Sequence, residues 1–116
     1  MRTQSENELL ERDAKLAEIV RRLVDAYRPR AIYLFGSKAR GDSGPDSDYD
    51  LLVVVDDDAS PERRRSRLAY KALWRFGTPG AVDALVCTRS YFDARRHLKA
   101  SLPGTVLREG KLLYAA

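Results

Sequence analysis

One cysteine, Cys87, and one histidine, His97, stand in 116 residues, and the most apolar runs, such as Leu51–Val55, are far too short to span a bilayer. A lone cysteine excludes an intrachain disulfide and suits a reducing compartment. The lone histidine sits outside any motif, so a packed or exposed structural role is expected of it. The opening residues, MRTQSENELLERD, are polar and acidic where a secretory signal is apolar, so a cytoplasmic protein without a membrane segment is expected. There is no lysine-rich tail and no repeating basic stripe. The net charge of +4 comes from arginines spread between Arg2 and Arg108, which favours anionic ligands without selecting one, and direct nucleic-acid binding is not expected. Internal repeats and low-complexity segments are also missing. The length supports one domain over residues 1–116 but no separate substrate-binding domain, so a bulky substrate requires a partner chain and a hetero-oligomer.

What is present is a globular composition, 44% hydrophobic and 33% charged, with helix and strand patterns in alternation. Ser5 and Glu8 form a capping box, and Leu9, Leu16, Val20, Leu23 and Tyr27 then recur on one helical face. This predicts a helix to about Ala26, ended by Pro29. AIYLF (31–35) and YDLLVVV (49–55) read as strands, the second with both faces covered. Gly36, Gly41, Gly44 and Pro45 between them give a tight loop or a single helical turn. Asp56, Asp57 and Asp58 close the second strand in solvent. Ser60-Pro61-Glu62 starts a helix that runs through Leu68, Leu73 and Trp74 to Gly77. AVDALVC (81–87) is a third strand, a helix follows from near Ser90, Pro103 and Gly104 break it, and KLLY is a short last strand. The expected fold is α/β: a single small domain whose mixed sheet of about four strands is flanked by helices.

Chemistry concentrates in FGSKARGDSGPDSDYDLLVVV, Phe35 to Val55. Asp48 and Asp50 are two apart, so on a strand they share a face, their Cβ atoms roughly 6–7 Å apart. Two such carboxylates repel and need a positive partner. A basic side chain can supply it, and so can Mg²⁺, which takes one or two carboxylates and completes its shell with water and phosphate oxygens. Asp83 on the third strand offers a further carboxylate, or else a surface ion pair. If the two strands are neighbours, the three acids can share two metals about 3.5–4 Å apart. Gly36 lets backbone approach a ligand, Ser37 adds a hydroxyl where a short helix starts, and Lys38 and Arg40 are available to neutralise charge. Arg40 can equally tie the loop to Asp42 or Asp46. A phosphate-holding loop facing paired carboxylates specifies phosphoryl or nucleotidyl transfer.

GSKARGDSGPDSDYDL resembles the signature of the DNA polymerase beta-like nucleotidyltransferase superfamily, a glycine-serine pair followed after ten residues by Asp-x-Asp, and most of all its minimal nucleotidyltransferase group. The resemblance extends over essentially the whole chain and implies that superfamily's fold. It implies that Gly36 and Ser37 hold the triphosphate, and the residues themselves add Arg40 as a candidate nucleotide contact. By the same resemblance Asp48, Asp50 and Asp83 bind Mg²⁺, two ions in all, and Asp83 helps deprotonate the acceptor. The implied reaction moves AMP, or another nucleoside monophosphate, from ATP or another triphosphate to a hydroxyl. The implied setting is the antitoxin of a toxin–antitoxin module, adenylylating a tyrosine of a helical HEPN-type toxin. Two alternatives stay open: a binding subunit that neutralises its partner by occlusion, and the catalytic chain of a two-chain enzyme for small molecules. The usual Ile between the aspartates is Tyr49 here, on the opposite face, where no effect on chemistry is expected.

The arginines of ERRRSR (62–67) read as a solvated helix face or a partner contact. Trp74, Phe76 and Tyr91 read as core or interface, and exposure of any of them favours the interface.

Overall fold

The computed structural model describes residues 4–41, 48–74 and 82–116. In chain order these form α1 (Gln4–Arg12), α2 (Ala14–Tyr27), β1 (Ala31–Phe35), α3 (Ser37–Arg40), β2 (Tyr49–Val55), a 3₁₀ turn (Glu62–Arg64), α4 (Arg67–Ala72), β3 (Val82–Thr88), α5 (Arg89–Arg95), α6 (Leu102–Glu109) and β4 (Lys111–Ala115). The strands make one sheet in the order β3-β2-β1-β4. β1 runs antiparallel to both β2 and β4, while β2 and β3 are parallel. The mixed sheet follows from the connections: a short link carrying only α3 suffices to reverse the chain after β1, whereas the β2–β3 crossover carries α4.

Strand alternation divides the interior in two. Tyr49, Leu51, Val53 and Val55 of β2 face α1, α2 and α4, and with Leu16, Ile19, Leu23 and Tyr27 they make the main core. Leu52 and Val54 face the other way, onto Phe92 of α5 and Val106 of α6. Burial on both sides explains the nearly unbroken Leu and Val of β2. By the same alternation Asp48 and Asp50 share the face of Leu52 and Val54.

Three helical expectations need correction. The first helix is two: Asp13 leaves helical geometry (φ −129°, ψ 88°) and caps α2, its Oδ1 accepting from Leu16 N–H at 3.0 Å. The break frees its other oxygen, Oδ2, for the Tyr49 hydroxyl at 2.8 Å. The helix expected from Ser60 is divided at Arg65, which is extended (φ −118°, ψ 143°), and its carbonyl accepts the Tyr27 hydroxyl at 2.5 Å. Pro103 and Gly104 do not break a helix but start α6, where Ser101 Oγ caps Gly104 N–H at 3.0 Å. A Cβ at position 104 would run into the Leu98 carbonyl, so that turn is built around glycine. Pro29 ends α2 as expected, through Arg28 in the left-handed region at φ 47°. Asp42, Gly44, Pro45, Asp46, Phe76, Gly77 and Ala81 lie outside the described residues.

Candidate active site

The site forms where β1 leaves the sheet and β2 and β3 enter it. Asp50 is the second residue of β2, and the parallel register sets it beside Asp83 of β3. Registered neighbours on adjacent strands lie about 4.7–4.9 Å apart in the bonding direction, so two carboxylates from separate parts of the chain meet on one face. Asp48 directly precedes β2 and is exposed, as is Asp83, whereas Asp50 is half-buried. Burial, then the charges of Asp83 and Asp48, push the Asp50 pKa up, and Arg40 pulls it the other way. The acids thus form one electrostatic unit centred on Asp50, with a deficit of positive charge.

On the other side, Asp50 is registered with Phe35, the last residue of β1. Gly36 follows at φ 75°, ψ −159°, a conformation that side chains resist. A Cβ there would overlap Asp50 Oδ2 and lie 3.2 Å from Cγ, so glycine is needed both for the turn and for the carboxylate beside it. Its carbonyl accepts from Ala39 and Arg40 N–H, each at 3.1 Å, starting α3. The N–H groups of Ser37 and Lys38 precede these bonds and stay outside the helix's own ladder. Gly41 closes α3 in the left-handed region at φ 83°.

The structure therefore brings Asp50, Asp83, Asp48, Gly36 and Arg40 to one place, with Ser37 on the adjoining turn. Lys38 behaves differently from Arg40. Its ammonium lies 4.5 Å from the centre of the Tyr49 ring, on the side of the sheet away from the carboxylates. Tyr49 is buried there, and burial and its bond to Asp13 push its pKa up to about 12. The residue between the two aspartates thus ties α3, β2 and the cap of α2 together. Sequence reasoning placed Tyr49 on the correct face but missed this tie; the acid-rich ERD ahead of an apolar helix was its one visible sign.

Among the described residues, no three Asp, Glu, His or Cys side chains stand close enough together to hold a metal ion as they are placed. The donor set itself, oxygen-only carboxylates mutually repelling around Asp50, has the chemistry of a hard divalent cation site.

The nucleotidyltransferase domain profile matches residues 14–109. A Methanocaldococcus jannaschii protein named “Putative protein adenylyltransferase” is 36% identical over 101 residues, 85% of this chain and 94% of the relative. Among solved structures, a toxin–antitoxin with AMP-PNP is 27% identical, with a TM-score of 0.59 over 86% of this chain and 73% of that one. “A putative nucleotidyltransferase from Sulfolobus solfataricus” has the same fold, at 24% identity and a TM-score of 0.58, over 98% of this chain and 90% of that one.

Proposed function

Starting from a chain that belongs to the nucleotidyltransferase domain family, we propose that it transfers AMP from ATP to a hydroxyl of a partner protein, as the antitoxin of a toxin–antitoxin pair. The observation that carries this reading is Asp50, set against Gly36 on one side and registered with Asp83 on the other. A transfer site needs this juxtaposition of triphosphate loop and acids. The adenylyl group and the protein acceptor are supported by the name of the M. jannaschii relative, and the toxin partner by the toxin–antitoxin neighbour. A tyrosine of a HEPN-type toxin is the acceptor we infer.

In this reading Gly36 and Ser37 hold the triphosphate through backbone N–H groups, and Arg40 offsets its charge. Asp48, Asp50 and Asp83 are the residues that would hold Mg²⁺, which when bound neutralises charge on the triphosphate oxygens. The acceptor oxygen attacks the α-phosphorus, the bond to the bridging oxygen breaks and pyrophosphate departs. Asp83, on the exposed edge, takes the acceptor proton.

The test is intact-mass analysis of the protein encoded beside this one, after incubation with this chain, Mg²⁺ and each nucleoside triphosphate in turn. One or more added nucleoside monophosphates are expected with ATP and none with the Asp48→Asn, Asp50→Asn protein. Transfer that survives the double substitution would refute the assignment. A stable complex without any mass gain would leave occlusion as the mode of neutralisation.

A further inference from the structure

β3 ends the sheet, and its outer edge pairs with no strand among the described residues. Around that edge apolar side chains stay in water: Leu85 on β3 is 39% exposed, Tyr91 just after it 47%, and Tyr70 and Trp74 on and after α4 65% and 66%. Asp83, Leu85 and Cys87 alternate onto one face of β3, so the catalytic end continues directly into a groove of about 400 Å³ lined by Leu85, Cys87, Tyr91, Leu102, Pro103 and Arg64. On the other side, Tyr70 of α4 and Leu73 just after it line a cleft against Val82 and Ala84, the two neighbours of Asp83. Next to it a groove of about 530 Å³ runs between Pro61, Arg65, Arg67 and Leu68.

The charge of this rim is unbalanced. Lys71 pairs with Glu62 at 3.3 Å, and Arg63 donates to the Tyr27 and Arg28 carbonyls. Arg64, Arg65 and Arg67 are exposed and have no carboxylate partner among the described residues. Exposed Tyr, Trp and Arg around an open strand edge are the residue types on which protein interfaces concentrate their binding energy, and an open edge accepts an extended segment by strand addition.

We propose that the acceptor protein docks along the free edge of β3 through an extended segment carrying acidic and apolar side chains, its acids on Arg64, Arg65 and Arg67 and its hydroxyl at Asp83. This rests on the reading above that the acceptor is a protein. A second copy of this chain fits poorly, because edge-to-edge pairing would set the same three arginines against each other. A nucleic-acid strand fits poorly too: it carries a phosphate on every unit, whereas this rim offers three arginines beside apolar side chains, which suits a polypeptide that is acidic at one end and neutral at the other.

Trp74 is the only tryptophan, is exposed and directly follows Leu73, which lines the cleft against β3, so its emission serves as the reporter. The probe is a random copolymer of glutamate and tyrosine, titrated while Trp74 fluorescence is recorded, with a lysine–tyrosine copolymer and single-stranded oligouridylate as comparisons. A saturating change is expected with the acidic copolymer alone. It should weaken at least roughly tenfold in the Arg64→Ala, Arg65→Ala, Arg67→Ala protein and in Leu85→Lys, with dialysis against labelled ATP unchanged in both. No response, an equal response to oligouridylate, or concentration-dependent dimerisation that hides Trp74 would each overturn the proposal. Failure to bind ATP while the acidic copolymer still docks would instead strike the nucleotidyl-transfer reading and leave the docking surface standing.

Discussion

β2 carries aspartates at both ends, and the two ends are chemically opposite. Beyond its last residue, Asp56 pairs with Arg30 at 3.3 Å, and Asp57 accepts from Ser90 N–H at 2.9 Å and from the Ser90 hydroxyl. Nearby, Asp93 sits between Arg89 at 3.7 Å and Arg96 at 3.5 Å. Those bonds to Ser90 hold the Asp57 carboxyl below its ordinary pKa. At the first residues of β2 the carboxylates face one another, and the Asp50 pKa goes up. The far end has the greater density of acid, yet the charges of Asp56, Asp57 and Asp93 are already spent on bonds within the fold. Acid content marks neither end as a site; the absence of internal compensation does.

The sharpest way to break the comparison is to neutralise one aspartate at each end. Asp50→Asn should cost at least about 10²–10³-fold in nucleotidyl transfer while leaving the melting temperature unchanged or raised, because a repelling charge is gone. Asp57→Asn should leave transfer unchanged and lower the melting temperature. Next in size, Gly36→Ala should destabilise by about 1–3 kcal/mol through its positive φ and, by displacing the Asp50 carboxylate, abolish ATP binding measured by dialysis. Tyr49→Phe should cost about 1 kcal/mol for the lost bond to Asp13, read by urea denaturation.

The smallest effect is the opposite pH dependence of the two ends. Asp57, with its pKa depressed in the fold, stabilises above its ordinary value of 3.8, and that stability is lost as the pH falls through the folded value. Asp50, with its pKa raised, stabilises only when protonated, below 3.8, and loses this as the pH rises through its folded value. Melting curves recorded from about pH 3 to about pH 7 should therefore flatten on the acid side in Asp57→Asn and steepen there in Asp50→Asn.

How much of this was readable beforehand varies from element to element. The sequence reading matches β1 and β2 because their apolar residues have no polar alternative, and the crossover length was enough to set β2 and β3 parallel. Strand alternation was enough to put Asp48 and Asp50 on one face, whereas their meeting with Asp83 depended on β2 and β3 being neighbours, which local pattern alone leaves open. The helix breaks at Asp13 and Arg65 were not, since each is stabilised by a distant tyrosine hydroxyl, Tyr49 or Tyr27, that local periodicity cannot contain. Pro103 was misread because a proline in the first turn of a helix and one that stops a helix look alike unless the Ser101 cap is given weight. Lys38 and Arg40 stand two apart in sequence with opposite fates, decided by which side of a four-residue helix meets an aromatic ring.

The pairing of β4 with β1 has a consequence for how the protein is born. Ala31 is registered with Ala115 and Leu34 with Lys111, so β1 acquires its second neighbour only from the last stretch of the sheet to be synthesised. Until residues 111–115 leave the ribosome, the strand that leads into Gly36 is a bare edge, open to misassociation with other nascent chains. Completion of the sheet thus joins the two most distant strands in sequence. A ribosome-stalled chain ending before Lys111 should remain protease-sensitive at Ala31–Phe35, and the full sequence should not.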